Sequence, residues 1–308
     1  NHTLTSVPTV VTNGDRKEIT LNFQEFLLAI GEEKLVTILN EKDWDLINIF
    51  KDKFISYLGE YYFIGGMPAA INKYIETKDY KQVRNVQLKL LQAYEEDFSK
   101  HTPNEIVPRL KMLWNSIPAQ LAKENKKFIY GLIKEGARAK EYELALSWLI
   151  DCGLIYKIDR VTKPNIPLIA YQNTSAFKLY ILDVGILGAM TRIDEKILLE
   201  GNEIFTEFKG SFTEQFVLTE LKSNKDIPMF YWSAEKATAK IDFLIQLGTD
   251  VIPIEVKASE NLQAKSLKTF IEKYKTTKNI RTSMSNYRKE EKFINIPLYT
   301  IANVEKLI

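Results

Sequence analysis

The 308-residue chain has few of the residues that build disulfides or histidine-based sites. It contains one cysteine, Cys152, and two histidines, His2 and His101. A single thiol excludes an internal disulfide and suits a reducing cytosol. Two histidines so far apart in sequence offer neither a histidine-based metal site nor a convincing catalytic triad. We therefore expect a cytoplasmic protein without disulfides.

Long apolar runs are also missing, and the charge is nearly balanced. No apolar stretch approaches the length of a membrane span, and the apolar residues 61–71 are interrupted by Gly65, Gly66 and Pro68. Forty-two Lys and Arg residues against forty Asp and Glu residues leave a net charge of +2. Nucleic-acid binding would therefore need local basic patches. The sequence predicts no membrane partner and leaves DNA and protein as candidate partners.

A phosphate-binding loop of the pattern G-x-x-x-x-G-K-[ST] is absent. The pair Gly65-Gly66 is followed by Met67 and Pro68, not by a lysine and a hydroxyl residue. This chain alone therefore shows no recognisable machinery for holding ATP phosphates.

The order of the predicted elements indicates a mixed α/β fold with more than one domain, since 308 residues are many for one core. Residues 1–20 read as a loop or a frayed strand. Helical patterns then dominate up to residue 100: residues 23–39 form a predicted helix with a candidate interruption at Gly31, and residues 80–98 are clearly amphipathic. Three short candidate helices, residues 104–113, 118–124 and 127–133, lead into two strand-like runs, 154–161 and 167–172, which suggests a helix-turn-helix variant with a wing. Residues 177–190 are expected to link this module to the last third of the chain. From residue 212 onward, the order α-β-β-β-α-β indicates a mixed sheet flanked by helices.

The most informative segment is a predicted β-hairpin at residues 241–257. Asp242 lies on its first strand, and the second strand ends in Glu255-Val256-Lys257. Because side chains alternate along a strand, Glu255 and Lys257 share one face. A two-residue turn at Gly248-Thr249 would place Asp242 directly opposite Glu255, whereas one more loop residue would part them.

These residue types suit a metal-dependent phosphodiesterase. Asp242 and Glu255 offer hard oxygen ligands for Mg²⁺, and Glu214 from the preceding helix would complete the ligand shell. Lys257 would orient the attacking water or stabilise charge on the phosphate. The predicted catalytic residues are therefore Asp242, Glu255 and Lys257. The alternative is structural, because Glu-x-Lys is a common tripeptide and charges at strand ends are usually solvated.

A second charged set belongs to the predicted winged helix, whose recognition helix would span residues 137–150. Its basic residues could meet DNA phosphates. They are Arg138, Lys140, Lys157, Arg160 and Lys163. Such modules also pack against neighbouring domains, and the helix carries Glu141 and Glu143, so a role without DNA stays open.

Several segments together resemble prokaryotic AAA+ family ATPases that carry a PD-(D/E)XK nuclease-like C-terminal domain of unknown function. One of them, residues 62–68, matches the Gly-Gly-x-Pro turn of these proteins. The similar segments follow the same order and spacing from about residue 20 onward. They are residues 21–27, 62–68, 136–140, 148–155, 178–185, 210–214 and 231–257.

The resemblance implies three parts. Residues 1–100 would be a remnant or helical lid of an ATPase domain, residues 101–190 a winged-helix domain, and residues 191–308 a restriction-endonuclease-like domain. Members of the family carry a P-loop upstream, so ATP binding is expected only of a longer parent chain. Lys240 stands where these proteins often have an acidic residue, and a cation there would favour phosphate binding or weaken metal binding.

Three functional hypotheses follow. The leading one is a C-terminal fragment of an AAA+ family ATPase that binds DNA or a protein partner through its winged-helix and nuclease-like domains. The second is an active Mg²⁺-dependent DNA nuclease. The third is a scaffold that binds protein without catalysis.

Overall fold

The computed structural model describes residues 20–123, 126–199, 206–223, 227–234, 239–260 and 263–306. His2 and the rest of the predicted N-terminal loop up to residue 19 lie outside the described residues. Two compact units make up the fold. The first contains residues 20–30, 59–157 and 179–199, and the second contains 31–58, 158–178 and the described residues from 209 onward. The predicted boundaries after residues 100 and 190 stay a prediction.

Helices provide most of the first unit and flank the sheet of the second. In chain order they are α1 (Phe23–Ala29), α2 (Glu33–Glu41), α3 (Trp44–Ile49), α4 (Lys51–Ile64), α5 (Pro68–Thr77), α6 (Tyr80–His101), α7 (Val107–Leu121), α8 (Ala139–Asp151), α9 (Val184–Met190), α10 (Glu195–Leu199), α11 (Thr206–Ser223) and α12 (Lys265–Tyr274). The predicted interruption at Gly31 is confirmed, because Gly31 has a φ of +89° between α1 and α2. The predicted amphipathic helix is α6.

One prediction for the helical region is wrong. Three short helices were expected between residues 104 and 133, but the first two are joined in α7, which continues through Pro118. The third shrinks to a 3₁₀ turn, Tyr130–Leu132. A row of buried apolar side chains, including Leu113, Trp114 and Ile117, runs along α7 and outweighs the local cost of an internal proline.

Eight strands form one mixed sheet, which confirms the predicted mixed α/β class. They are β1 (Ile155–Val161), β2 (Gln172–Ile181), β3 (Met229–Ser233), β4 (Lys240–Leu247), β5 (Asp250–Val256), β6 (Ile280–Ser283), β7 (Arg288–Lys289) and β8 (Ile294–Pro297). Their order in the sheet is β2-β1-β3-β4-β5-β6-β8-β7. The pairs β3–β4 and β4–β5 are antiparallel, and β5–β6 is parallel.

The second strand of the predicted wing is misplaced. Residues 168–171 form a 3₁₀ helix, and the strand begins at Gln172 and runs through residues expected to form a linker. From Ala176 to Ile181 every residue of β2 is buried. This burial on both faces explains why the alternating pattern expected of a half-exposed strand is missing there.

The central elements of the second unit are enclosed on all sides. Every side chain of α11 from Ser211 to Leu221 is buried. One apolar cluster joins α12 to the sheet and includes Trp232, Ile241, Leu244 and Phe270. Trp232 and Phe270 meet edge to face with ring centroids 5.1 Å apart. Charged side chains of α11, such as Glu214 and Glu220, are therefore removed from bulk water.

No helix in the described part of the chain has both the length and the apolar character that crossing a bilayer requires.

Candidate functional site

The β4–β5 hairpin has the tighter of the two predicted registers. Leu247 pairs with Asp250, so Gly248 and Thr249 form a two-residue turn, and Gly248 adopts a φ of +58°. Pairing then continues in step to Phe243 and Ile254. The next positions in the same register are Asp242 and Glu255. The sequence therefore placed these two carboxylates on adjacent strands correctly.

Asp242 lies where β4 departs from regular pairing with β3. Phe230 pairs with Leu244 but Trp232 pairs with Ile241, so β4 has one extra residue in this interval. Such a bulge locally redirects side chains. The Asp242 carboxylate turns toward β5, where its Oδ2 accepts a hydrogen bond of 3.0 Å from the backbone N–H of Val256.

The second oxygen of Asp242 is buried and lacks a hydrogen-bond partner among the described residues. The nearest cationic groups are the ammonium groups of Lys178 at 3.9 Å and Lys240 at 4.0 Å from Oδ1. These are ion-pair distances, beyond the range of a hydrogen bond. Oδ1 thus keeps a lone pair in a buried place, which is costly unless something else uses it.

Glu255 has the same half-satisfied character. Its Oε1 lies 3.1 Å from the Nζ atom of Lys257, while Oε2 is buried without a hydrogen-bond partner in the described structure. Burial raises the pKa of Glu255, and the negative charge of Asp242 raises it further, whereas Lys257 and Arg281 lower it.

Lys257 and Arg281 supply positive charge on the other side of Glu255. Lys257 is about one-third exposed, so its ammonium group reaches both Glu255 and solvent. Arg281 on β6 is in register with Glu255 and is fully buried. Its guanidinium group is held by Asn295 Oδ1 at 2.8 Å and Glu290 Oε1 at 3.0 Å.

Glu214, the third predicted metal ligand, extends from α11 and is also buried. Its Oε2 lies 3.4 Å from Nζ of Lys178, a buried lysine on β2. Lys178 is also the lysine that lies 3.9 Å from Asp242. Glu214 and Asp242 therefore lie near the same lysine, and the ammonium group of Lys178 is within ion-pair distance of both carboxylates.

The described residues contain no cluster of three or more His, Cys, Asp or Glu side chains arranged to hold a metal ion. What they do contain is a pair of carboxylates, each with one buried oxygen whose hydrogen-bonding capacity is unused. Mg²⁺ commonly binds through only one or two protein carboxylates and completes its shell with waters and substrate phosphates. That Asp242 and Glu255 hold Mg²⁺ in this way, with Glu214 as a further ligand, stays a prediction.

The five basic residues predicted for nucleic-acid binding have unequal surroundings. Arg138 and Lys140 are exposed at the start of α8, and Lys163 is exposed in the loop after β1. Lys157 is half-buried. Arg160 is half-buried as well and donates a 2.9 Å hydrogen bond to the carbonyl of Ser233. The first unit holds Arg138, Lys140 and Lys157, and the second holds Arg160 and Lys163.

A different buried carboxylate organises the first unit. Asp183 precedes α9 and accepts hydrogen bonds from the backbone N–H groups of Gly66, at 2.6 Å, and Ile186, at 2.9 Å. Burial raises its pKa to about 6, although these backbone donors oppose the shift. Gln87 donates to the carbonyls of Phe63 and Ile64 in the same turn. The Gly-Gly turn is thus a structural element, which Asp183 and Gln87 hold in place through buried hydrogen bonds.

Sequence reasoning missed Lys178, Arg281 and Asp183. Lys178 and Arg281 each interrupt an otherwise apolar or uncharged strand, at Phe177-Lys178-Leu179 and Ile280-Arg281-Thr282. A lone cation in such a run signals a buried partner, because a buried charge must be compensated. The local pattern does not reveal which distant carboxylate that partner is.

Two family models match consecutive parts of the chain. Residues 55–197 match a domain of unknown function, DUF8612. Residues 209–301 match another domain of unknown function, DUF4143, which is found at the C-terminus of AAA-type ATPases. No curated protein matches the chain, and no solved structure does. The resemblance to the C-terminal part of AAA-type ATPases is confirmed to that extent.

Proposed function

We propose that this chain is the C-terminal part of an AAA-type ATPase and that its second unit is a divalent-metal-dependent nuclease. The observation that carries the proposal is the pair of unpartnered buried oxygens, Asp242 Oδ1 and Glu255 Oε2, on adjacent strands. The match of residues 209–301 supports the first half of the proposal. The winged helix and the PD-(D/E)XK relationship stay predictions.

The cost of the arrangement argues for a use. A buried carboxylate oxygen without a hydrogen bond destabilises the fold by roughly 1–3 kcal/mol or more. Two such oxygens occur side by side, on Asp242 and Glu255, while carboxylates elsewhere in the described core are hydrogen-bonded, as at Asp183. Buried polar atoms without a hydrogen bond are rare in native proteins, and each one calls for an explanation.

In this proposal, Asp242 Oδ1 and Glu255 Oε2 hold one divalent ion. Such an ion would neutralise charge on a phosphate and lower the pKa of a water molecule. The Val256 N–H fixes the Asp242 carboxylate from behind through Oδ2. The Asn295 and Glu290 contacts fix Arg281, whose positive charge opposes the rise in the pKa of Glu255.

In this proposal, Lys257 acts on the substrate. Its Nζ lies 3.1 Å from Glu255, and its side chain is one-third exposed. A phosphate approaching the two carboxylates from solvent would meet this ammonium group, which would stabilise the negative charge that develops during phosphodiester cleavage.

A cleavage assay tests the proposal. The chain is incubated with single-stranded, duplex and branched DNA in Mg²⁺, in Mn²⁺ or in EDTA. We expect metal-dependent cleavage that Asp242→Asn, Glu255→Gln and Lys257→Met each reduce by about a hundredfold or more. The matched control is Asp250→Asn on the same hairpin, whose carboxylate forms an exposed 2.8 Å ion pair with Lys278 and should leave cleavage unchanged.

Cleavage that persists in EDTA, or that survives Asp242→Asn and Glu255→Gln, would refute the metal site. An absence of cleavage on all three DNA forms would refute the nuclease and leave the second candidate.

The second candidate is binding of DNA without cleavage, and Lys178 favours it. Its ammonium group lies near both Glu214 and Asp242 and already neutralises part of their charge. The exposed pair Arg138 and Lys140 would then provide phosphate contacts. Binding should weaken steeply with salt, and Arg138→Ala with Lys140→Ala should reduce the slope of log K against log salt by about one per lost phosphate contact.

A further inference from the structure

Lys178 is a buried cation that stands between two acidic side chains. Its side chain is only 2% exposed. The Nζ atom lies 3.4 Å from Glu214 Oε2 and 3.9 Å from Asp242 Oδ1. It also lies 5.1 Å from the ring centroid of Tyr231, within cation–π range. Nearby anions and an aromatic face thus stabilise the ammonium group in a place that water does not reach.

The two distances differ in their consequence for the carboxylates. At 3.4 Å, Lys178 makes a hydrogen-bonded ion pair with Glu214. At 3.9 Å it contributes charge to Asp242 but leaves Oδ1 without a hydrogen bond in the described structure. Glu214 is thereby engaged by a protein cation, whereas Asp242 and Glu255 each retain an oxygen for another ligand.

We propose that Lys178 takes the place of a second divalent ion between Glu214 and Asp242, and so restricts this site to a single ion on Asp242 and Glu255. The inference rests on the metal site proposed above. Where two ions act on one phosphodiester, they lie roughly 3.5–4 Å apart and share carboxylate ligands. The Lys178 ammonium lies 3.4 Å from Glu214 and 3.9 Å from Asp242, the two carboxylates that would share the second ion. Unlike a metal ion, an ammonium group has no open coordination position for a phosphate oxygen or a water. Lys178 therefore determines metal stoichiometry.

Metal titration of lysine variants tests this inference independently of cleavage. The number of Mn²⁺ ions bound and their affinity are measured by calorimetry for the wild type, Lys178→Met, and Lys178→Met combined with Glu214→Gln. We expect one ion in the wild type and two in Lys178→Met, or one ion bound at least about tenfold more tightly. The double variant should return to the wild-type value, because the Glu214 carboxylate that would bind the second ion is gone.

Lys240→Met is the matched control. Lys240 lies 4.0 Å from the same Asp242 oxygen, but its side chain is 39% exposed. Its charge is therefore screened by solvent, and the variant should bind one ion with an affinity within about twofold of the wild type. An equal gain in metal binding from Lys240→Met and Lys178→Met would contradict a specific role for Lys178.

Loss of the buried ammonium group removes a nearby positive charge from Glu214 and Asp242, so Lys178→Met should be less stable in EDTA. Lys178→Gln, which keeps a polar group, serves as a second variant. For both, Mn²⁺ should raise the unfolding temperature more than it does for the wild type. The inference is overturned if neither variant gains more than the wild type in ion number, affinity or unfolding temperature.

The outcomes separate this inference from the proposed function. If the wild type binds no ion and Lys178→Met binds one, the nuclease proposal fails. The inference that the Lys178 ammonium group replaces a divalent ion still holds in that case. If the wild type binds one ion and cleaves DNA, but Lys178→Met is unchanged in ion number and affinity, the inference alone fails.

Discussion

Two buried aspartates, Asp183 in the first unit and Asp242 in the second, have opposite surroundings. Both oxygens of Asp183 accept backbone hydrogen bonds, from Gly66 and Ile186. Asp242 uses one oxygen in this way, toward Val256, and leaves the other without a hydrogen bond in the described structure. A buried carboxylate with hydrogen bonds to both oxygens holds neighbouring segments together. A buried carboxylate with one oxygen lacking a hydrogen bond can still accept a ligand such as a metal ion.

The glycines around Asp183 strengthen this contrast. A Cβ atom on Gly65 would lie 2.2 Å from Asp183 Oδ1, and one on Gly185 would lie 2.5 Å from the carbonyl oxygen of Ile64. Here the Gly-Gly turn and α9 approach so closely that side chains are excluded. Around Asp183, the first unit uses a buried carboxylate and glycines for close packing.

The largest expected effect comes from filling that close approach. Gly65→Ala should lower the free energy of unfolding of the first unit by about 3–5 kcal/mol, because the new methyl group collides with Asp183 and the φ of +75° is strained for alanine. Hydrogen exchange of the α9 amides measures this loss. Gly136→Ala is the matched control, since Gly136 has a φ of +76° but open space around it.

The control should lose only about 1–2 kcal/mol, the cost of the left-handed conformation by itself. Equal losses in the two variants would mean that the contact with Asp183 contributes nothing.

The second prediction concerns pH and the cost of burying Asp183. Its pKa is raised to about 6 from an ordinary value near 3.9. The native state therefore holds the proton more tightly than the unfolded state. This group's contribution is most favourable below about pH 4 and declines as the pH rises through 6, by up to roughly 3 kcal/mol.

Unfolding of the first unit at several pH values, followed by hydrogen exchange, measures that decline. Asp183→Asn cannot ionise and should show a flatter profile between pH 4 and 6.5. A wild-type profile parallel to that of the variant would contradict the assignment.

A third prediction sets the two aspartates against each other directly. In Asp183→Asn the new NH₂ group must face a backbone N–H donor, so we expect a loss of about 1–3 kcal/mol. In Asp242→Asn the amide oxygen can still accept from Val256, and the NH₂ group takes the place of an oxygen that has no hydrogen bond in the described structure. Urea unfolding should therefore show a change within about 1 kcal/mol.

A loss in Asp242→Asn as large as that in Asp183→Asn would assign Asp242 a structural role and remove the contrast between the two units.

The smallest expected effect is that of Lys240. Its removal should change the free energy of unfolding by about 0–1 kcal/mol, because its side chain is 39% exposed. Removal of the buried Lys178 belongs with the large effects and should cost about 3–5 kcal/mol in EDTA, because it breaks a buried ion pair with Glu214. Thermal unfolding of Lys240→Met and Lys178→Met compares them, and similar losses would mean that burial does not distinguish these pairs.

Local signals made the hairpin predictable. The turn residue Gly248 and the alternating pattern of residues around it predicted the full length of β4, Lys240–Leu247. They also indicated the register that aligns Asp242 with Glu255. No comparable signal marked the strand from Gln172 to Ile181, because its buried residues do not alternate. Residues 177–190 were therefore expected to form a linker.

Lys178 was overlooked for the same reason. Its importance comes from Glu214 on α11 and Asp242 on β4, which are 36 and 64 positions away in the chain. Spacing and periodicity report on neighbours within one element, so they predicted which residue types the hairpin offers. They did not predict that a lysine from another strand would stand beside two of the three carboxylates.

The most direct measurement of the central claim is the position of Mn²⁺ in crystals of this chain, located by anomalous scattering. The account predicts one peak bonded to Asp242 Oδ1 and Glu255 Oε2, at a metal–oxygen distance close to the roughly 2.1 Å typical of Mg²⁺. The peak should be absent from crystals of Asp242→Asn. Saturating Mn²⁺ with no peak between these two oxygens would contradict the account, and Asp242 and Glu255 would then be buried charges without a metal.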